Sequence, residues 1–176
     1  MHANELFEAY FRSLAELGAI PHYSGYQYGL WTQLATAALV QVGLRAFPDG
    51  SKVAKNHRDS YGRSEYLDLD VTVLDPTTWG TPLFVAEHEN SMLRARVQYD
   101  AWKLLSVDAR RRMLVAYFGG KECPTFADLK AAVEEVCRDN PGKDILLVGG
   151  DYRAKPTNID DLRKAHDTAI VGFHSL

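Results

Sequence analysis

The chain has 176 residues, 46% of them hydrophobic and 11% aromatic, with a formal net charge of −3 and a pI near 6.1. That composition supports one globular domain over 1–176 with a real core, and it excludes a disordered chain. It also excludes a globally basic nucleic-acid binder, so any such partner must be held by a local patch. Cys123 and Cys137 show no CxxC and no metal-ligand spacing, which points to a reducing compartment and hence to the cytoplasm. The first 18 residues carry charges throughout and have no apolar h-region, unlike a signal peptide. No run approaches the roughly 18 apolar residues of a membrane span, so no membrane partner is expected.

Residues 3–17 read as a helix, with Leu6, Tyr10, Leu14 and Leu17 on one face and Gly18 at its end. PHYSGYQYG, 21–29, is a loop whose three tyrosines are read as packing groups. A second helix spans 30–46. Trp31, Leu34, Ala35, Ala38 and Val42 form its core face; Thr32, Gln33, Thr36 and Gln41 form an uncharged opposite face. Such a face implies burial against other elements or a second subunit. With the apolar final strand, it gives the expectation of a homodimer. SKVAKNHR, 51–58, has weak strand character. EYLDLDVTVLD, 65–75, then alternates strictly: Leu67, Leu69, Val71 and Val73 point one way, Tyr66, Asp68, Asp70 and Thr72 the other. DPTTWGTP is turn chemistry, and PLFVAEHE, 82–89, is a second strand, so the two form an antiparallel hairpin. A helix over 92–106, a strand over 111–118 and a helix over 125–139 follow. DILLVGG, 144–150, is a continuous apolar strand of the kind buried on both faces. A helix over 160–167 and a strand over 168–175 complete the order. The pattern predicts an α/β layered fold with a mixed central sheet flanked by helices.

FVAEHENS, 84–91, runs from core residues straight into acids. On a strand Glu87 and Glu89 share one face and His88 takes the other, where it is read as packing or surface. Asp68 and Asp70 share a face of the partner strand. If the hairpin register sets the acidic faces on one side, the carboxylates repel and raise one another's pKa values. A divalent cation resolves that conflict, and oxygen-only ligands select Mg²⁺ or Mn²⁺. A carboxylate-held Mg²⁺ with bound water suits phosphodiester hydrolysis.

An Asp late in one strand, a turn, and a strand ending in an acidic motif resemble the core of the PD-(D/E)XK nuclease superfamily, the restriction-endonuclease-like fold. The resemblance covers 30–118, and is carried by Asp70, Glu87, Glu89 and an α-β-β-β-α-β order of elements. It implies a restriction-endonuclease-like layered fold and a magnesium-dependent nuclease, a hydrolase acting on nucleic acid, with DNA as the expected polymer. Asp70 and Glu87, with a backbone carbonyl near His88, are the implied metal ligands, and Asp68 is the rival for the strand acid. The family's usual Lys is Glu89 here, and Leu69 stands where its usual Pro precedes the Asp. Glu89 is assigned a second cation or the activation of water; Lys103, from the following helix, is the other candidate for the missing cationic group. The alternative is a nuclease-like domain that has lost catalysis and serves as a binding or regulatory module. Two basic clusters flank the acids: Arg94 and Arg96 with Arg110, Arg111 and Arg112, and Lys52, Lys55, His57, Arg58 and Arg63. Both are expected to contact phosphates.

Overall fold

A computed structural model describes residues 2–23, 28–49, 52–55, 69–78 and 81–172. Its helices are α1 (Ala3–Glu16), α2 (Tyr28–Ala46), α3 (Arg94–Ser106), α4 (Phe126–Arg138) and α5 (Ile159–Lys164). Its strands are β1 (Lys52–Lys55), β2 (Val71–Leu74), β3 (Pro82–His88), β4 (Arg111–Phe118), β5 (Asp144–Asp151) and β6 (His166–Gly172). The described strands form one sheet in the order β1-β2-β3-β4-β5-β6. β1, β2 and β3 pair antiparallel, β3, β4 and β5 pair parallel, and β6 returns antiparallel. The fold is therefore a layered α/β fold around a mixed sheet, as the alternation of strand and helix periods requires.

The two faces carry separate cores. Val71, Val73, Phe84, Ala86, Met113, Val115, Tyr117 and Val148 face α1 and α2. Val85, Leu114, Ala116, Ile145 and Leu147 face α3 and α4. Successive residues alternate between them because a strand's side chains alternate. The central strands are buried on both faces because both crossovers, β3-α3-β4 and β4-α4-β5, pass over the second one. Local chemistry sets the helix ends. α4 opens on a reciprocal cap in which Asp128 N–H donates to Thr125 Oγ1 at 3.3 Å and Thr125 N–H to Asp128 Oδ2 at 3.1 Å. α5 opens on Asn158, whose Oδ1 accepts from Asp161 N–H at 2.9 Å.

The structure departs from the sequence expectations in three places. The strand expected over 65–75 is described only as Val71–Leu74, and Leu69 packs on the α3/α4 face while Val71 packs on the α1/α2 face. The chain turns over at Asp70, so the strict alternation does not extend to Leu69. The helix expected over 160–167 stops at Lys164, and β6 starts at His166, because His166 is needed as a buried group beside Leu162. The helix expected over 92–106 starts at Arg94, and Leu93, expected inside it, is the residue that caps α3 and is 52% exposed. The uncharged face of α2 has an explanation inside the chain: Thr36 is buried, and Thr32 Oγ1 accepts from Asn90 Nδ2 at 2.5 Å. No helix among the described residues is long and apolar enough to cross a membrane. Cys123 and Cys137 are free and buried.

Gly43 fixes how closely α2 approaches the hairpin. A Cβ there would lie 2.7 Å from both Phe84 Cδ1 and Val73 Cγ2. In an open helix Gly→Ala stabilises by about 1 kcal/mol. At Gly43 the sign reverses, because the methyl meets two side chains buried in the core. Gly43→Ala is expected to destabilise by about 1–3 kcal/mol, read as a lowered midpoint in urea. Gly29→Ala, in the same helix with nothing within 4 Å, is the matched control and should be neutral or stabilising.

Candidate active site

The hairpin brings Asp70 and Glu87 together. Val71 pairs with Ala86, so one residue further out Asp70 reaches the level of Glu87. Asp70 Oδ2 accepts the backbone N–H of His88 at 2.8 Å, which ties the start of β2 to the end of β3. Glu87 follows Val85 onto the α3 face and is 3% exposed. His88 follows Ala86 onto the opposite face, where its Nε2 lies 2.8 Å from the Tyr117 hydroxyl. The expectation that His88 turns away from the acids as a packing group therefore holds. Burial, against the pull of Asp70, lowers its pKa to about 4.

Helix α3 answers the buried acid. Lys103 Nζ lies 2.8 Å from Glu87 Oε1 and 2.9 Å from Asp100 Oδ1. Its side chain is 12% exposed. The spacing 97-100-101-104 turns Asp100 inward with Val97, Ala101 and Leu104, and Lys103 reaches the same point from the next turn. The contact to Glu87 is ionic but off the hydrogen-bonding direction, which leaves Oε1 buried with no hydrogen bond. Glu89 continues past β3: its N–H donates to the Val115 carbonyl at 2.9 Å, and its Oε1 accepts the N–H of Ser91. Its carboxyl is half-buried and hydrogen-bonds with Asp100.

The charges within this cluster compete. Burial pushes the Glu87 carboxyl up to about 9, Asp70 and Asp100 push the same way, and the Lys103 ammonium opposes them without prevailing. Burial alone would lower Lys103, but Glu87 and Asp100 outweigh it and hold the ammonium above its ordinary value. We take Lys103 as the fixed cation, since it has two carboxylate neighbours, and Glu87 as the group that titrates. Glu89 is raised to about 7 by burial and by sharing a hydrogen bond with Asp100, with Arg96 pulling it back.

All four residues singled out in the sequence are thus placed. Asp70, Glu87 and Lys103 sit in one cluster, and Glu89 joins it through Asp100. Asp100 carries no role in the sequence reading, although it shares the flank of Lys103; its signal was a carboxylate three residues before a lysine on the buried edge of a helix. Asp68, His57, Arg58 and Arg63 lie outside the described residues. The first basic patch does not assemble. Arg112 is buried and donates to the Leu104 and Val107 carbonyls at 3.0 and 2.8 Å, so it caps the end of α3. Arg94 pairs with Glu135. Arg111 is level with Phe84, about 10 Å along the strand from Glu87. Among the described residues no group of three or more His, Cys, Asp or Glu side chains converges as a metal cage. The donors do fit a hard cation in chemistry: Asp70, Glu87, Glu89 and Asp100 outnumber the one nearby ammonium, which meets the buried Oε1 of Glu87. Comparison with protein-family models, curated proteins and solved structures finds no match to this chain.

The raised Glu87 pKa fixes a sign. The folded protein holds a proton on Glu87 that the unfolded chain releases above its ordinary value of 4.5. The stability from this group is complete below that value and is lost as pH rises toward 9. In metal-free buffer, Glu87→Gln should gain on wild type progressively between about pH 5 and pH 9, with a midpoint about 4 °C or more higher near pH 8. Lys103→Met should lower stability by about 3 kcal/mol, since it strips the cation from the buried Asp100. A flat difference between Glu87→Gln and wild type across that range in thermal melts would show that Glu87 does not titrate this way.

Proposed function

We propose that this chain is a metal-dependent nuclease that hydrolyses phosphodiester bonds in DNA, with its site at the β2–β3 hairpin end. The observation that carries the reading is a buried carboxylate, Glu87, set level with Asp70 and in contact with the ammonium of Lys103. The order α2-β1-β2-β3-α3-β4 supports it as well, because it repeats the α-β-β-β-α-β order on which the resemblance to PD-(D/E)XK nucleases rests. In that superfamily a lysine two residues after the second acid completes the site. Here Glu89 holds that position and Lys103 supplies an ammonium from α3.

Asp70 and Glu87 would hold one Mg²⁺ or Mn²⁺, with Glu89 as the third oxygen donor. When bound, that cation supplies a water of lowered pKa and neutralises charge at the scissile phosphate. The chain's own groups do the rest. Lys103, held charged by Asp100, offers a fixed positive group beside Glu87, where charge develops on the phosphate oxygens. Glu89 is half-buried beside Asp100, and its carboxyl would accept the proton of the attacking water. Asp100 holds both Lys103 and Glu89, and so positions them.

One observation favours a second reading. Lys103 already contacts Glu87, and no metal cage has formed among the described acids. A nuclease-like domain that has lost catalysis and binds or regulates would look the same. The two separate by assay. With Mg²⁺ or Mn²⁺ the wild type should cleave labelled DNA, and Glu87→Ala should abolish cleavage together with the calorimetric Mn²⁺ site. Glu89→Gln should slow cleavage by about 10²-fold, the usual weight of a general base. Absence of cleavage of DNA and RNA with either cation leaves the inert module.

A further inference from the structure

Helix α3 exposes two aromatic residues beside this cluster. Tyr99 is 47% and Trp102 52% exposed. Their rings stack with centroids 5.9 Å apart and planes 26° from parallel. A tryptophan and a tyrosine left half in water carry a large apolar area that a folded chain ordinarily buries. Tyr99 lies between two cations of its own helix, Arg96 three residues before and Lys103 four residues after. The ammonium of Lys103 is 5.3 Å from the centre of the Tyr99 ring and 2.8 Å from Glu87. The platform therefore runs directly into the acid cluster.

We propose that Tyr99 and Trp102 form a stacking platform for the bases of an unpaired DNA strand, with the exposed Arg96 meeting its phosphates and the strand led toward the cluster at Glu87. The proposal rests on the nuclease reading for its substrate. Flat, exposed rings beside cations are what unpaired bases use, since each base offers a face to stack and the backbone follows positive charge. A duplex hides those faces and depends on many phosphate contacts. Among the described residues this surface is poor in them: Arg112 is buried, Arg94 pairs with Glu135, and Arg111 lies along the strand from the cluster.

The test is fluorescence anisotropy with a labelled oligothymidylate and a blunt duplex of equal length. It is run in Ca²⁺ and again in EDTA, with the DNA checked intact on a gel. Wild type should bind the single strand at least about tenfold more tightly than the duplex. Trp102→Ala should weaken that binding about tenfold while Trp102→Phe keeps most of it, as the loss of one stacked base predicts. Equal affinity for the duplex, no single-strand binding, or an unchanged Trp102→Ala would overturn the platform. So would a dimer that Trp102→Ala converts to monomer in sedimentation with DNA binding intact, since that assigns the face to a second copy. The two readings fail separately. Trp102-dependent binding without cleavage in Mg²⁺ or Mn²⁺ sinks the nuclease and keeps the platform; cleavage with Trp102-independent binding does the opposite.

Discussion

A carboxylate buried at the end of a central strand is the constraint to which one whole face of this protein responds. Glu87 is nearly cut off from water, at 3% exposed, because β3 is covered on both faces and pairs on both edges. An isolated charge there is costly enough that the group must take a proton or find a partner. It does both. Lys103 reaches it from α3, and Asp100 keeps that lysine charged. The position of α3 along the sheet is then no longer set by apolar packing alone, since sliding the helix by a turn would separate Lys103 from Glu87. Arg112 reinforces the same alignment by binding the carbonyls at the other end of α3.

The opposite face solves a similar problem without net charge. His88, one residue on from Glu87, enters a cluster of rings in which Tyr117 meets His88 Nε2 and accepts from Trp31 Nε1 at 2.7 Å. Tyr23 donates to the Asp151 carbonyl at 3.0 Å, and His166 bonds the Leu162 carbonyl through Nδ1 at 2.8 Å. Gly150 makes the room: a Cβ there would lie 2.7 Å from the Tyr23 hydroxyl and 2.8 Å from His166 Nε2. Burial keeps both imidazoles neutral, each lowered to about 4. Two adjacent residues of β3 thus anchor two polar networks on opposite sides of the sheet. The charged one has the acids and the exposed helix flank; the neutral one is a packed interior.

Much of this was legible in the sequence, because strand alternation is a local signal. The two-residue period gives Glu87 and His88 opposite faces, and the turn at 75–82 gives the hairpin that sets Asp70 level with Glu87. What was not legible depends on how elements meet. Whether Lys103 or Glu89 faces Glu87 depends on the rotation of α3, which the short connection after β3 sets and no periodicity encodes. Asp100 was not singled out, because burial of a helix edge depends on what lies opposite. The arginines before β4 read as a phosphate patch from charge alone. Their separation comes from strand geometry: Arg111 is exposed while Arg112, pointing the other way, is buried. Leu69 broke the pattern because the chain reverses its facing at Asp70, a bend that a strict hydrophobic alternation conceals.

The sheet lists its strands in the order the chain makes them. Each new strand therefore pairs with the one just completed, and most pairing closes over short separations, which favours fast assembly. The exception is α1. Its Phe11 ring packs edge-on to His166, with centroids 5.1 Å apart, and its Glu8 meets Arg163 at 2.9 Å. On a ribosome the acid cluster of residues 70–103 can close early, whereas the first helix must wait for the segment around 163–166 before those contacts exist. Until then the part of that face that α1 shares with the 163–166 segment stands open to water, although α2 already covers β2 and β3. The most vulnerable interval in this protein's synthesis therefore belongs to its earliest helix, and the face exposed during it is the aromatic one rather than the charged one.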